Sequence, residues 1–478
     1  MHLLRPTTRL GRLGATVTAA CLSAAAVTVG AGVASADPAL PPVSGTTAVS
    51  GATIVGEQWL TQRTLQLMVA TPSFTTPAPV EVTLPTGYSD DSTRRWPTTY
   101  YLIGTNGNET MFRTRYNGEA LTTSYPSIVI SPGGSAPLPP GTPSTASTGN
   151  VGYWSDWYNN GAGGPPMYET FVTQQLIPLI DANFRTLADR GHRAILGESM
   201  GGYGTLMLAA RHPDLFGAAS SLSGADDSNW VPGAAVLSAS PALDVAPPDS
   251  IYGPRATEEV NWRGHNPVDL AENLRRIDLQ LYTGNGVPNV NEATDPSAPG
   301  GCVLESGIVN PETQSLHNTL LSLGIPHTYT ALTYGCHTPY EFEQEIASSL
   351  TRFASDFATG APAVTDFDYR STAPTFSMFG WSVTADPGRA AEFLDVQNVS
   401  ASGFTITGSG TTEIVTPPLL HGARPVTVMV DGRPSSITPD TTGRLSISVD
   451  LGPPDQDQQY TVGAITTLHT SVVTIVTP

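Results

Sequence analysis

The sequence contains no lysine: its 22 basic residues are all arginine, set against 41 acidic residues, for a formal net charge of −19. That balance leaves no electrostatic footprint for nucleic acid. It favours solubility and discourages adhesion to anionic surfaces. Cysteine is scarce, with only Cys21, Cys302 and Cys336. Neither Cys302 nor Cys336 has a second Cys or a His at ligand spacing, apart from the adjacent His337, which argues against a zinc site. Nothing in the pattern calls for a metal or any other cofactor. Beyond residue 36 no apolar run is long enough to span a bilayer, and there is no internal repeat.

What is present begins with Arg5, Arg9 and Arg12, an uncharged stretch from Leu13 to Val33, and Ala34-Ser35-Ala36. This is the pattern of a secretory signal peptide over 1–36, cleaved after Ala36. The expected location is secreted or cell envelope. Cys21 then leaves with the signal, and Cys302 and Cys336 are expected to pair as a disulfide in an oxidising compartment. The length of 478 residues suggests two or more domains. The 42 Pro and 47 Gly predict long ordered loops.

The strongest local signal is Gly197-Glu198-Ser199-Met200-Gly201. An apolar run, Ala194-Ile195-Leu196, precedes it, and a helical stretch from Tyr203 to Ala210 follows. Strand, glycine-flanked turn and helix are the context of a G-x-S-x-G nucleophile elbow. Ser199 would stand at the helix N-terminus, where backbone N–H groups favour a developing oxyanion.

Residues 37–50 read as a loose lead-in. Strands are predicted at 64–69, 80–84, 100–103, 127–130, 194–196, 217–224, 279–283 and 327–332, with helices at 168–184, 310–323 and 339–357. Continuous apolar strands separated by helices imply an α/β doubly wound, mostly parallel sheet over 37–360. Residues 225–270 read as an irregular cap, and a long loop is expected to begin at Gly284-Asn285-Gly286. From about 365 to 478 only short alternating runs occur, with a hairpin turn at Asp431-Gly432. This predicts a separate all-β, sandwich-like accessory domain.

An activated serine needs a base, an orienting acid and an oxyanion hole, in the chain order Ser, acid, His. Of the downstream histidines, His337 lies in a loop after the last core strand and before the last helix, where the base belongs. His212 is too near the elbow, His317 and His327 fall on predicted elements, and His421 and His469 belong to the β domain. The acid is open among Glu292, Asp295 and Glu305. A Cys302–Cys336 bond would pin the Glu305 segment to the His337 loop. The oxyanion donors expected are the N–H of Met200 and that of Thr105, in the loop after the first core strand. Glu198 reads as a tuner of the elbow.

Tyr153-Trp154-Ser155-Asp156-Trp157-Tyr158, Tyr168-Glu169-Thr170-Phe171, Ser199-Met200, Ser221-Leu222-Ser223 and Gly284-Asn285-Gly286-Val287-Pro288-Asn289 occur in this order. Together they resemble segments of the secreted mycolyltransferases, within the esterase D group of α/β-hydrolases. The resemblance covers roughly 50–357. It implies an α/β-hydrolase fold and selects Glu305, in Val303-Leu304-Glu305, as the acid. It implies acyl transfer from a lipid or other ester through a Ser199 acyl-enzyme, to a sugar or alcohol acceptor. Ile103 and Asn106 depart from the family's sugar-contacting Asp and Arg, and Thr338-Pro339 stands where the family has a Trp shortly after its catalytic His. They point towards a carboxylesterase or polyester hydrolase with water as acceptor. A non-catalytic envelope-binding protein is the reading from a different class.

Overall fold

A computed structural model describes residues 47–89, 93–133, 151–420 and 424–476. The expected signal peptide and His421 lie outside the described residues. Nine strands form one sheet: β1 (Thr53–Trp59), β2 (Thr64–Ala70), β3 (Ala78–Thr83), β4 (Thr98–Leu102), β5 (Ile128–Pro132), β6 (Arg193–Glu198), β7 (Ala218–Leu222), β8 (Asp278–Thr283) and β9 (Thr328–Ala331). Their order is β1-β2-β3-β5-β4-β6-β7-β8-β9. The first three run antiparallel, and β5 to β9 are mutually parallel. Every residue of β4, β5, β6 and β7 is buried. That is why these strands read as continuous apolar or small-residue runs rather than as alternations. This is the α/β-hydrolase architecture, and it gathers the ends of β4, β7 and β8 beside that of β6.

The helices that matter for the site are α1 (Met200–Arg211), α2 (Val231–Ala239), α3 (Ala298–Leu304), α4 (Asn310–Ser322) and α5 (Pro339–Thr359). Helix α5 is capped by Thr338, whose side chain accepts from the Glu341 N–H. It buries Phe342, Ile346, Leu350, Phe353 and Phe357 on one stripe. Each such side chain contributes about 1.5–3 kcal/mol when removed from water.

Two sequence expectations need correction. Residues 225–270 are not irregular throughout, since they hold α2 and a second helix, Arg255–Arg263. The segment carrying Glu305 is not a loop either. Helix α3 continues through a wider π-helical turn, Glu305–Val309, straight into α4. Pro299, Gly300 and Gly301 hid it, because they are poor helix formers. Packing overrides that preference: a Cβ on Gly301 would stand 2.7 Å from the His337 carbonyl oxygen.

Among the described residues from Phe367 to Val476, ten strands form a six-stranded and a four-stranded sheet, with antiparallel pairing throughout. Asp431 and Gly432, both at positive φ, turn the hairpin between Val426–Val430 and Arg433–Ile437. These sheets enclose a hydrophobic core of their own around Val383, Leu394, Ile406 and Val428. They dock on the hydrolase side through backbone. The Asn273 amide donates to the Arg370 carbonyl and accepts from its N–H, both at 2.9 Å. The Tyr369 hydroxyl donates to the Arg211 carbonyl at 2.6 Å. No helix of the described residues is long and apolar enough to cross a membrane.

Candidate active site

Ser199 sits between β6 and α1 with φ 56° and ψ −121°. A non-glycine residue held there costs on the order of 1–3 kcal/mol. The surroundings enforce it. The Ser199 N–H donates to the Leu222 carbonyl at 2.9 Å, and its own carbonyl accepts from the Tyr203 N–H at 3.1 Å. The flanking glycines are steric requirements, since a Cβ on Gly201 would lie 1.9 Å from the Leu102 oxygen and one on Gly197 2.4 Å from it. The turn is tight because β4 and α1 nearly touch.

His337 lies between β9 and α5, and its Nδ1 is 2.9 Å from Glu305 Oε2. The Glu305 side chain is 0% exposed and that of His337 9%. The other Glu305 oxygen accepts from the Ser223 hydroxyl at 2.9 Å, the Thr283 hydroxyl at 2.7 Å and the Gly284 N–H at 2.8 Å. Burial alone would raise the pKa of this carboxyl. The His337 hydrogen bond and charge, with those hydroxyls, reverse that and hold it below its ordinary value. An ionised Glu305 keeps a proton on Nδ1 and leaves Nε2 as the free lone pair. Nε2 is buried with no hydrogen-bond partner. It faces a cavity of about 350 Å³ that Ser199, Met200 and Thr105 also line. The structure therefore joins Glu305 to His337 by a hydrogen bond and places Ser199 on the same cavity, without a Ser199–His337 bond. In unliganded enzymes that contact is often long.

The two rejected acids have other positions. Asp295 caps its own turn, accepting from the Ser297 N–H at 2.7 Å and hydroxyl at 2.6 Å. Glu292 is fully buried. One of its oxygens accepts from the Cys336 N–H at 3.0 Å and the Thr338 hydroxyl at 2.7 Å, and the other from the Asn289 N–H at 3.0 Å. It thus grips the chain on both sides of His337. Cys302 and Cys336 form the expected disulfide, and the His337 N–H reaches the Gly301 carbonyl at 3.3 Å. The His337 loop is tied to the helix that leads into Glu305 by a covalent bond and to Glu292 by hydrogen bonds. Spacing alone did not expose that second tie.

The loop after β4, where the Thr105 N–H is the expected donor, lies against Ser199: a Cβ on Gly104 would stand 3.2 Å from Ser199 Cβ. Glu198 fixes this loop from beneath. Its carboxyl accepts from the Gly104 N–H at 3.0 Å and from the Tyr101 hydroxyl at 2.5 Å. Burial pushes its pKa up to about 7, against the pull of those hydrogen bonds. The Trp154 indole N–H donates to the Ile103 carbonyl at 3.2 Å. Asp156 accepts from the Thr170 N–H at 3.0 Å and hydroxyl at 2.6 Å. The aromatic motif is scaffolding for the oxyanion loop and the helix start at Tyr168, rather than a reacting group.

Residues 71–349 match the family model of the esterases. The chain belongs to the esterase family. Among curated esterase-family relatives, an esterase of Mycobacterium tuberculosis is 32% identical over 257 residues, 52% of this chain and 50% of that protein. The diacylglycerol acyltransferase/mycolyltransferase Ag85B of Mycolicibacterium smegmatis is 33% identical over 184 residues, 36% of this chain and 53% of that protein. The chain spans about half the length of these curated relatives. Among solved structures, Mycobacterium tuberculosis MPT51 is 20% identical, with a TM-score of 0.48 over 61% of this chain and 97% of that one. The resemblance to the mycolyltransferase and esterase group therefore holds.

Proposed function

We propose that this chain is a serine esterase working through an acyl-enzyme on Ser199. The observation that carries the reading is the Glu305–His337 pair, whose free Nε2 opens onto the cavity of a strained, glycine-flanked serine. Ser199 Oγ attacks the ester carbonyl carbon and its proton passes to His337 Nε2. The tetrahedral oxyanion is held by the N–H groups of Met200 and Thr105. The C–O bond to the alcohol breaks, and His337 returns the proton to the departing oxygen. An acceptor O–H then loses its proton to His337 as its oxygen attacks the acyl carbon, the bond from that carbon to Ser199 Oγ breaks, and His337 returns the proton to Ser199 Oγ. Glu305 stays ionised and orients the imidazole throughout.

With water as acceptor the outcome is hydrolysis. Transfer to an alcohol or sugar is the second reading, supported by the likeness to a diacylglycerol acyltransferase/mycolyltransferase. Residues 1–36 are proposed to direct export to the cell envelope or medium, in keeping with the disulfide. The proposed division places the hydrolase domain at 37–360 and the β domain at 365–478. A fluorophosphonate probe tests the enzyme reading: wild type should label, and Ser199→Ala should not. Equal labelling would return the chain to a non-catalytic binding role. Incubation with a long-chain ester, with and without trehalose, separates hydrolysis from transfer to that sugar.

A further inference from the structure

The cavity beside Ser199 contains a group that acyl-enzyme chemistry does not use. Glu312, in the first turn of α4, is fully buried and lines the cavity shared by Ser199 and His337. Neither of its carboxyl oxygens meets a protein donor. The neighbouring acids each have a protein donor, although one oxygen of Asp226 has none. Asp226 accepts from the Ser221 hydroxyl at 2.7 Å. Asp227 accepts from the Asn266 amide at 2.9 Å and the Ser315 hydroxyl at 2.6 Å. Helix α2 makes room for the Glu312 carboxyl by presenting Gly233, where a Cβ would stand 1.5 Å from Glu312 Oε1. Much of the cavity wall is apolar, formed by Leu237, Leu304, Ile308, Val309 and Phe342. A leucine at 312 would suit that wall better, because a buried carboxyl without a donor is costly and calls for an explanation.

Resting on the esterase reading, we propose that Glu312 forms a hydroxyl-recognising subsite, so that the preferred substrate is an ester with a free hydroxyl on its acyl or alcohol part. Burial, and then the charges of Asp226 and Asp227, hold the Glu312 carboxyl in its acid form well above the ordinary range. A neutral carboxyl presents one O–H donor and one carbonyl acceptor, which is the complement of an alcohol hydroxyl. A cationic substrate is disfavoured, because Arg115 lines the same cavity.

The test compares esters in which a methyl replaces the hydroxyl. Ethyl 3-hydroxybutanoate is set against ethyl 3-methylbutanoate for the acyl side, and 2-hydroxyethyl butanoate against propyl butanoate for the alcohol side. One hydroxylated member should exceed its isostere in kcat/KM by roughly ten-fold or more, and the pair that shows it identifies the side. Glu312→Leu should bring that ratio towards one, whereas Glu312→Gln, which keeps a donor and an acceptor, should retain much of it. Should Glu312→Leu fail to fold, Gly233→Ala must lower the same ratio, because its Cβ displaces the carboxyl. Ratios near one in wild type, a ratio that survives these substitutions, or a preference for a choline ester over its neutral 3,3-dimethylbutyl isostere would each overturn the subsite. Turnover of none of these esters, with no Ser199 labelling, would overturn the esterase reading as well. Turnover with flat ratios overturns only the hydroxyl subsite.

Discussion

Behind the reacting groups, the hydrolase side buries Glu345 with neither carboxyl oxygen partnered. The C-terminal sheets bury Glu392 with one oxygen held by Arg389 and by the Ser409 N–H, at 2.9 and 2.8 Å. Glu345 is 1% exposed and Glu392 0%. The β region thus compensates its buried charge locally, as a packing unit does. The hydrolase side concentrates Glu292, Glu305, Glu341 and Glu345 near one histidine, and repulsion from Glu305 and Glu292 adds to burial in raising Glu345 well above its usual range. Burial raises Glu392 as well, but there an arginine offsets part of it, whereas at Glu345 several acids add to it and no cation of the described residues offsets it. Substitutions on each side can break that contrast.

The largest effect should come from Glu305→Ala, with kcat falling roughly 10³–10⁴-fold and fluorophosphonate labelling slowed in parallel. A loss under ten-fold would move the orienting acid elsewhere. Next, Arg389→Met removes the charge partner of buried Glu392 and leaves it only the Ser409 N–H, and should destabilise the fold by about 3–5 kcal/mol in denaturant unfolding. Unchanged stability there would erase the distinction between the two regions. Glu292→Gln should lower kcat by roughly ten-fold with KM nearly constant, through looser placement of His337. A pure rise in KM would place Glu292 in binding instead.

The smallest effect is thermal. Native Glu345 keeps its proton above the ordinary value of 4.5, where the unfolded chain releases it. The native state therefore binds more protons, and this group's contribution falls as pH rises. Glu345→Gln removes that slope and should raise Tm at pH 8 by roughly 2 °C or more, with a smaller gain at pH 5. A loss of Tm at both pH values would mean that the carboxyl has a partner.

Much of the hydrolase fold was legible because its strands are buried on both faces and its elbow needs glycine at fixed offsets. Gly197 and Gly201 announce a close backbone approach that only a strand–turn–helix supplies. The acid was not legible from the residues alone. What separates Glu305 from Glu292 and Asp295 is the set of donors Ser223, Thr283 and Gly284, up to 82 residues away in sequence. Only the family resemblance ranked the three. The helical run through Glu305 was hidden for a related reason: Gly301 serves the distant His337 backbone rather than its own helix. Glu312 showed no signal at all, because a glutamate in the first turn of a helix is ordinary until its burial is known.

Glu198 and Ser199 are consecutive, yet one holds the Gly104–Thr105 loop of the proposed oxyanion hole and the other carries the proposed nucleophile. The end of a single strand is therefore the common datum for both. Any displacement of the end of β6 would move Ser199 and the loop that Glu198 holds in the same direction. A replacement at 198 with a shorter side chain would uncouple the two and leave a serine that is correctly placed in the fold but no longer indexed to the loop that stabilises its product.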